Sequence, residues 1–289
     1  MGCGIAAGFV AHGCDVALLA RDAARFDTLR NQTLALVASL GTAQPHGRLE
    51  LQTMDGFDGW SAQTLVIETV TEDLALKQSL FAQLDALVPR HVPVGSNSSS
   101  HAISRIADGL PTRSRMFNMH YFMPAHRVPL VEVVLGADSD PALAQQVCAM
   151  FSATGKKPVL VKRDIPGFLA NRIQHALMRE VLTLIDSGIA SPEDIDMAVR
   201  YSFGFRYAAI GPILQKEMSG WDTSLRASAE IYPSLSNATE VPACLQRLVA
   251  ENRLGMKTGR GFVDWTPESA AAARAAYDER LAAALKLLD

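Results

Sequence analysis

The sequence predicts an α/β protein: a doubly wound parallel sheet in the first part of the chain, followed by an all-helical second part. Up to about residue 164, short apolar runs of strand length alternate with longer segments of helical spacing, as in parallel sheets with helices on both faces. After the segment Asp164-Ile165-Pro166-Gly167 only helical spacing continues. We therefore expect a first domain at residues 1–164 and a helical domain at residues 165–289.

The strands of the first domain are predicted from apolar runs bounded by polar or turn residues. They are expected near residues 15–20, 49–53, 64–70, 92–96, 115–120, 130–135 and 158–162. A glycine-rich helix over residues 1–12 is weak on propensity alone, but its small residues suit a close approach to the backbone of a sheet. Asp22 and Asp140-Pro141 are typical helix starts. Helices are expected at 22–40, 73–88, 102–107 and 140–153, and in the second domain at 168–187, 192–202, 212–232, 240–253 and 267–288.

Composition excludes several classes of protein. Hydrophobic residues make up 48% of the chain, charged residues 20%, and the net charge is −3, so no electrostatic attraction to nucleic acid or to a membrane surface is expected. No apolar run is long enough to cross a membrane. The four cysteines form no C-x-x-C pair, so neither a metal site nor a disulfide framework is indicated. This cysteine usage is typical of a reducing, cytoplasmic compartment.

A pair of ionisable residues stands out in the segment from Asn118 to Leu135. His120 ends one apolar run, and Glu132, twelve residues later, lies within another. A carboxylate there is costly to bury unless it is paired. A histidine partner would also be useful, because the carboxylate fixes the tautomer of the ring and raises its basicity. On these residues alone, an ordinary core histidine and a glutamate at a sheet edge explain the pattern equally well.

Several motifs follow one another in a fixed order along the chain. They are Gly2-x-Gly4 at the start of a helix, VIETVTEDLALK at 66–77, GSNSSS at 95–100, HYFMP-x7-VEVV at 120–134, PGFLANRI at 166–173, SPEDID at 191–196, GPILQKEMSGWD at 211–222 and LGMKTGRGF at 254–262. Over nearly its whole length the chain thus resembles the 3-hydroxyacyl-CoA dehydrogenase family. The resemblance implies a Rossmann-type domain, a helical domain for substrate binding and dimerisation, and NAD(P)-dependent oxidation of a small-molecule 3-hydroxyacyl compound to its 3-keto form.

The resemblance also assigns residues. The catalytic pair falls on His120 and Glu132, the substrate-binding serine on Ser99, and the asparagine after PGF on Asn171. Oxidation of a secondary alcohol needs a base on the hydroxyl, and Ser99 and Asn171 can donate to the developing ketone oxygen. The cofactor contacts fall on Gly2, Glu72, Lys77, Ser99 and Lys257. A turn or helix-cap serine at Ser99 and a solvated loop lysine at Lys257 are the alternatives.

Two departures from the family pattern concern the cofactor. The acid that normally binds the ribose of NAD at the end of the second strand is Ala20 here, followed by Arg21. An arginine can accept a 2′-phosphate, so NADP is an alternative to NAD, unless Arg21 is only a surface residue. The asparagine of the family's HFFNP motif is Met123, which removes a polar group near the nicotinamide.

A third departure concerns the substrate. CoA-using members carry a serine and a lysine on the helix expected at 22–40, but this segment contains no lysine, and the aligned positions are about Leu36 and Ala43. The run GFRYAAIGP at 204–212 is closer to the lambda-crystallin (L-gulonate 3-dehydrogenase) branch, whose substrates are free hydroxy acids. The alternatives are therefore a dehydrogenase of a small polyol acid or ring-borne alcohol, and a crystallin-like structural protein without turnover.

The first residues of the chain match only part of the dinucleotide-binding fingerprint. Gly2 matches the third glycine of the G-x-G-x-x-G fingerprint, and a strand normally precedes that fingerprint. The sequence therefore predicts that Met1 is an internal methionine of a longer chain, with about ten further residues forming an apolar strand and the first two glycines.

Overall fold

The computed structural model describes residues 1–43 and 46–288. The chain divides into two compact units, Met1–Arg172 and Ile173–Asp289. The first is built on a mainly parallel sheet and the second is helical, which confirms the predicted fold class. None of the helices described is both long enough and apolar enough to cross a membrane.

The first unit alternates strands with helices in the predicted order. Its elements are α1 (Gly2–Ala11), β1 (Val16–Leu19), α2 (Phe26–Leu40), β2 (Leu49–Gln52), β3 (Val66–Glu68), α3 (Leu74–Leu87), β4 (Val94–Ser96), α4 (Ile103–Ile106), β5 (Met116–Tyr121), β6 (Leu130–Leu135), α5 (Pro141–Ala153) and β7 (Lys157–Val161). Polar caps fix two of the helix starts, because Asp73 accepts from Leu76 N and Asp140 accepts from Ala142 N.

The strands form two groups. β1 pairs in parallel with β2, while the other five lie in the order β3-β4-β5-β6-β7. All of these pairs are parallel except β5 with β6, which is antiparallel. The prediction of a wholly parallel sheet was wrong for this pair. The eight residues between the two strands are too few for a crossover connection, so the chain turns back as a hairpin. Among the residues described, no strand pairs with both β1 and β3.

Strand alternation decides which side chains of β5 face which helices. Phe117, Met119 and Tyr121 pack into a core with Ile5 of α1 and Phe151 of α5. Met116 packs into a second core with residues of α3 and α4. Because successive side chains of a strand point to opposite faces, Asn118 and His120 lie on the same face as Met116.

The second unit consists of helices. They are α6 (Ala170–Asp186), which begins in the first unit, α7 (Pro192–Val199), α8 (Phe205–Ala209), α9 (Pro212–Ser219), α10 (Trp221–Ile231), α11 (Ala243–Ala250) and α12 (Pro267–Leu285). Two predictions were wrong in detail. A π-helical turn, Arg200–Gly204, carries α7 on into α8, and the helix expected at 212–232 breaks at Gly220, where φ is 86°.

Candidate active site

The antiparallel hairpin places His120 directly opposite Glu132. The two residues are register partners in the β5–β6 ladder, so their side chains leave the same face of the sheet. His120 is 2% exposed and Glu132 is fully buried. His120 Nδ1 lies 2.8 Å from Glu132 Oε2. The pairing predicted from the two apolar runs is therefore formed, and the carboxylate selects the tautomer with the proton on Nδ1.

The second oxygen of Glu132 is also satisfied. Oε1 accepts from the backbone N–H groups of Leu169, at 3.1 Å, and Ala170, at 2.7 Å, at the start of α6. Burial by itself raises the pKa of Glu132, but the hydrogen bonds from His120, Ala170 and Leu169 outweigh it and hold the pKa below its usual value. The carboxylate is therefore ionised at neutral pH and accepts the hydrogen bond from Nδ1 of the imidazole.

Ser99 lies at the other ring nitrogen. Its Oγ is 2.9 Å from His120 Nε2, so with the proton on Nδ1 the hydroxyl donates to Nε2. The Ser99 backbone N–H donates to Glu72 Oε1 at 2.9 Å, and the Ser98 hydroxyl donates to Glu72 Oε2 at 2.7 Å. Glu72 thus fixes the turn that carries Ser99. Burial raises the pKa of Glu72, but these bonds and the charge of Lys77 outweigh it, and the net pKa is lowered.

Lys77 of α3 is buried beside this turn, with a side chain only 1% exposed. Its Nζ donates to Glu68 Oε1 at 2.8 Å and to Val70 O at 3.2 Å, and lies 3.8 Å from Glu72 Oε2. The other oxygen of Glu68 accepts from the Ser96 hydroxyl at 2.7 Å. This network joins β3, β4 and α3 at the carboxyl ends of the strands.

A cavity of about 330 Å³ opens at the carboxyl ends of β3, β4 and β5, where ligands bind in open α/β sheets. Ser99, His120 and Asn171 line it together, although they are distant in sequence. Its lining residues are Met1, Thr69, Val70, Thr71, Glu72, Lys77, Asn97, Ser99, His120, Tyr121, Phe122, Met123 and Asn171. Within the ranges described, no three His, Cys, Asp or Glu residues cluster so as to hold a metal ion.

The remaining predicted cofactor residues differ in their placement. Gly2 begins α1 close to the end of β3, and a Cβ added to it would lie 3.0 Å from Thr69 Oγ1. Arg21 follows β1 and is exposed. Lys257 is exposed in the second unit, in a turn where Gly255 bridges to Arg260. The cofactor roles of these three residues, like those of Glu72, Lys77 and Ser99, stay predictions.

Sequence reasoning missed three polar residues in and around the site, of which Asn97 lines the cavity. Glu68 holds Lys77, Asn97 accepts from Tyr121 N at 2.9 Å, and the Asn118 side chain accepts from Ile103 N at 2.7 Å and donates to His101 O at 3.0 Å. Glu68 gave the same signal as Glu132, an acid within an apolar run, with a lysine nine residues later. The two asparagines gave no comparable signal, because an amide is less costly to bury than a charge.

A carboxylate-backed histidine at the carboxyl ends of a Rossmann-type sheet, beside the N-terminus of a glycine-rich helix, defines the chain as a nicotinamide-dependent oxidoreductase. The sequence matches the NAD binding domain of 3-hydroxyacyl-CoA dehydrogenase over residues 1–165 and the C-terminal domain of the same enzyme over residues 167–265. The chain belongs to the 3-hydroxyacyl-CoA dehydrogenase family and carries its NAD-binding domain.

Individual relatives differ in the substrates they are named for. The 5-formyl-3-hydroxy-2-methylpyridine 4-carboxylate 5-dehydrogenase of Mesorhizobium japonicum is 31% identical over 296 residues, which cover 100% of this chain and 95% of that protein. The 3-hydroxyadipyl-CoA dehydrogenase of Escherichia coli is 30% identical over 280 residues, which cover 93% of this chain but 58% of the relative.

Solved structures also share the fold over the whole chain. A crystal structure of 5-formyl-3-hydroxy-2-methylpyridine 4-carboxylic acid 5-dehydrogenase, an NAD⁺-dependent dismutase, gives a TM-score of 0.92. It is 30% identical in sequence, and the match covers 100% of this chain and 95% of that chain.

Proposed function

We propose that the protein interconverts the hydroxyl group of a small 3-hydroxyacyl compound and the corresponding ketone, with NAD as the hydride acceptor and His120 as the general base. The observation that carries this proposal is the Ser99–His120–Glu132 chain, with its two contacts of 2.9 and 2.8 Å ending at the cavity. Unlike a histidine that only satisfies the core, His120 lines a cavity that a substrate can enter.

The residues around the cavity fit this chemistry. His120 Nε2 takes the hydroxyl proton, and the C=O bond forms as the carbinol carbon loses its hydrogen with the electron pair. Glu132 stabilises the resulting imidazolium without taking its proton. The Ser99 hydroxyl, released from Nε2 when the substrate hydroxyl takes its place there, and Asn171 donate hydrogen bonds to the oxygen that becomes the ketone. Positioned proton transfer of this kind contributes about 10²–10⁴ in rate.

The first unit also offers groups suited to NAD. When bound, the cofactor supplies the acceptor for the hydride. The N–H groups at the start of α1 suit a pyrophosphate, and a Cβ added to Gly2 would make a tight contact of 3.0 Å with Thr69 Oγ1. Lys77 and Glu72 line the cavity and suit the ribose and amide of the nicotinamide half. Arg21, exposed after β1, is the residue through which NADP would bind.

The substrate is proposed to be a free acid rather than a CoA ester. α2 contains no lysine, and its only basic residue, Arg30, donates to Leu49 O at 3.2 Å. The positions aligned with the CoA contacts of the family, about Leu36 and Ala43, carry no donor side chain. A CoA phosphate would therefore meet little positive charge on this element.

A second candidate is oxidation of a group carried on an aromatic ring, either a ring-borne alcohol or an aldehyde. It is favoured by the relative that acts on a formyl pyridine carboxylate and matches this chain end to end. An aldehyde hydrate, R–CH(OH)₂, would lose a proton from one hydroxyl to His120 and a hydride from carbon to NAD, leaving the carboxylic acid. The residues and their roles are the same as for the hydroxy acid.

A substrate panel tests both candidates. Reduced-nicotinamide absorbance is followed with NAD⁺ and NADP⁺ against 3-hydroxy acids, their CoA esters, and pyridine carboxylates that carry a hydroxymethyl or formyl group. We expect turnover of free acids, and His120→Gln to lower it at least about 100-fold while NADH binding changes little. His91→Gln, at an exposed histidine, is the matched control and should leave the rate unchanged.

The contradicting results are specific. A His120→Gln variant that keeps more than about a tenth of the wild-type rate would remove His120 from the role of base. A low Michaelis constant for acetoacetyl-CoA, together with no turnover of any free acid, would contradict the substrate assignment. Absence of turnover with the whole panel would favour the crystallin-like alternative.

The second unit is further proposed to form a homodimer. Its helices expose many large apolar side chains. One stripe consists of Met197, Tyr201 and Phe205 along α7, the π-helical turn and α8; a second consists of Leu214 and Met218 on α9 with Trp221 and Leu225 on α10, on the two sides of the break at Gly220. Exposed apolar stripes of this length are typical of subunit interfaces, and closed two-fold dimers are the commonest solution.

A further inference from the structure

Lys156 is a buried cation that has no carboxylate partner among the residues the structure describes. It precedes β7, and only 8% of its surface is exposed. Among the ion pairs of residues 1–43 and 46–288, none includes it. Burial alone lowers the pKa of Lys156 to about 8. Because a buried ammonium is costly, its hydrogen bonds must provide the compensation.

The ammonium of Lys156 is directed at a single segment of the chain. Its Nζ donates to Ala125 O at 2.6 Å and to Val128 O at 2.9 Å. The same nitrogen lies 5.6 Å above the ring of Tyr121, within the range of a cation–π interaction. The lysine therefore contacts the end of β5 and both halves of the loop that follows it.

That loop, residues 122–129, joins the strand of His120 to the strand of Glu132. The pairing of the two residues depends on the register of β5 against β6, and the loop is the connection that sets this register. Its backbone is also held by Lys157 N, which donates to Pro129 O at 2.9 Å. A change in the loop would therefore alter the distance between imidazole and carboxylate.

The loop also touches the cavity and α1. Phe122 and Met123 line the cavity, and the Phe122 ring packs edge-on against His120, with centroids 4.6 Å apart. On the other side, a Cβ added to Gly4 would lie 3.3 Å from Ala125 Cβ. Lys156 thus supports, from the opposite face of the sheet, a segment packed between the base and the glycine-rich helix.

We propose that Lys156 is a positioning residue for the His120–Glu132 pair, acting through its two hydrogen bonds to the loop between their strands. It touches neither the cavity nor the pair itself, so it takes no part in proton transfer. The consequence for the rate rests on the proposed function; the consequence for the geometry of the pair does not. Misplacement of a reacting group by about 1 Å costs about 10²-fold in rate, so a loosened loop has a measurable effect.

The test compares Lys156→Met with Lys157→Met. Both remove one ammonium from adjacent residues, but the Lys157 side chain is exposed and only its backbone N–H reaches the loop. The proton on His120 Nδ1, bonded to Glu132, is followed as a downfield proton NMR resonance that is assigned by its absence in His120→Gln. We expect Lys156→Met to lose or shift this resonance and to lower kcat at least about tenfold, with NADH affinity little changed. Lys157→Met should match the wild type in all three measurements.

Each alternative outcome contradicts the proposal. A Lys156→Met variant with the wild-type resonance overturns it, whether or not the rate falls, because the pair is then unaffected. If near-UV circular dichroism shows Lys156→Met unfolded, the same measurements are made on Lys156→Gln, whose amide nitrogen ends one bond short of the ammonium. Wild-type behaviour of Lys156→Gln overturns the proposal, and loss of fold in both variants makes Lys156 a stability residue instead. The resonance needs no substrate, so failure to find a substrate counts against the proposed function alone.

Discussion

At the scale of single residues, Glu132 shows how a charge is kept inside this protein. Its side chain is fully buried, and an isolated carboxylate in such a place would be neutral or would not be buried at all. Three donors, the His120 ring and the N–H groups of Leu169 and Ala170, surround its two oxygens. The charge that assists His120 under the proposed function therefore also contributes to folding, through the same contacts.

This coupling predicts a pH-dependent loss of stability. The pKa of Glu132 is lower in the folded chain than in the unfolded chain, so its contribution is complete above its unfolded pKa, about 4.3, and is lost as the pH falls through the folded pKa. We expect Glu132→Gln to lower the free energy of unfolding by about 1.5–3 kcal/mol near neutral pH. The difference from the wild type should shrink between about pH 5 and about pH 3. Urea unfolding measured across this range gives both curves.

An exposed glutamate provides the control for that measurement. Glu279 on α12 is solvent-exposed, and Glu279→Gln should run parallel to the wild type at every pH. A Glu132→Gln curve that also runs parallel to the wild type down to about pH 3 would show that the carboxylate contributes no charge-dependent stability.

Single site residues could be predicted from the sequence where an ionisable residue lies within an apolar run. Glu132 and its partner His120 were found this way, and Glu68 with Lys77 gave the same signal. Ser99 was found only by resemblance, because its contact with His120 arises from a turn at the end of β4. Such a turn leaves no periodic pattern in the sequence.

At the scale of elements, the predictions failed where a local backbone conformation decides the outcome. The apolar periodicity of residues 212–232 is continuous, so one helix was predicted. The chain breaks at Gly220 because its φ of 86° lies in the left-handed region, which a helix cannot include. Similarly, apolar runs located β5 and β6, but they carry no information on strand direction. The short length of the connecting loop is what indicates that the two strands are antiparallel.

Gly220 gives a prediction at this scale. A Cβ there would lie 2.7 Å from Asp222 Oδ1, and the backbone would be strained for any side chain. We expect Gly220→Ala to lower the free energy of unfolding by about 1–3 kcal/mol, measured by urea unfolding. Gly211→Ala, at the preceding helix start, has a φ of −66° and open space around the Cβ position, so it should change stability by less than about 0.5 kcal/mol. Equal effects of the two substitutions would contradict the assigned break.

At the scale of the whole molecule, polar chemistry and apolar surface are distributed unequally between the two units. The first unit holds the buried charges and the cavity, and few of its large apolar side chains are exposed. The second unit exposes apolar side chains on several helices, which a monomeric soluble protein rarely does. The sequence predicted these helices from their spacing, but it could not tell a stripe that packs into the chain's own core from one that is left exposed.

The homodimer prediction follows from this surface and can be tested directly. Met218 and Leu225 are 76% and 73% exposed in the stripe formed by α9 and α10, and burial of each side chain would be worth about 1.5–3 kcal/mol. Size-exclusion chromatography with light scattering should give about twice the 31.1 kDa of one chain for the wild type. The double variant Met218→Glu with Leu225→Glu should shift the mass toward that of one chain, because two carboxylates would be buried unpaired in the interface. Leu87→Glu, at an exposed leucine of the first unit, should leave the mass unchanged. A wild type that runs as a single chain, or a double variant that keeps the mass of a dimer, would show that this stripe is not the subunit interface.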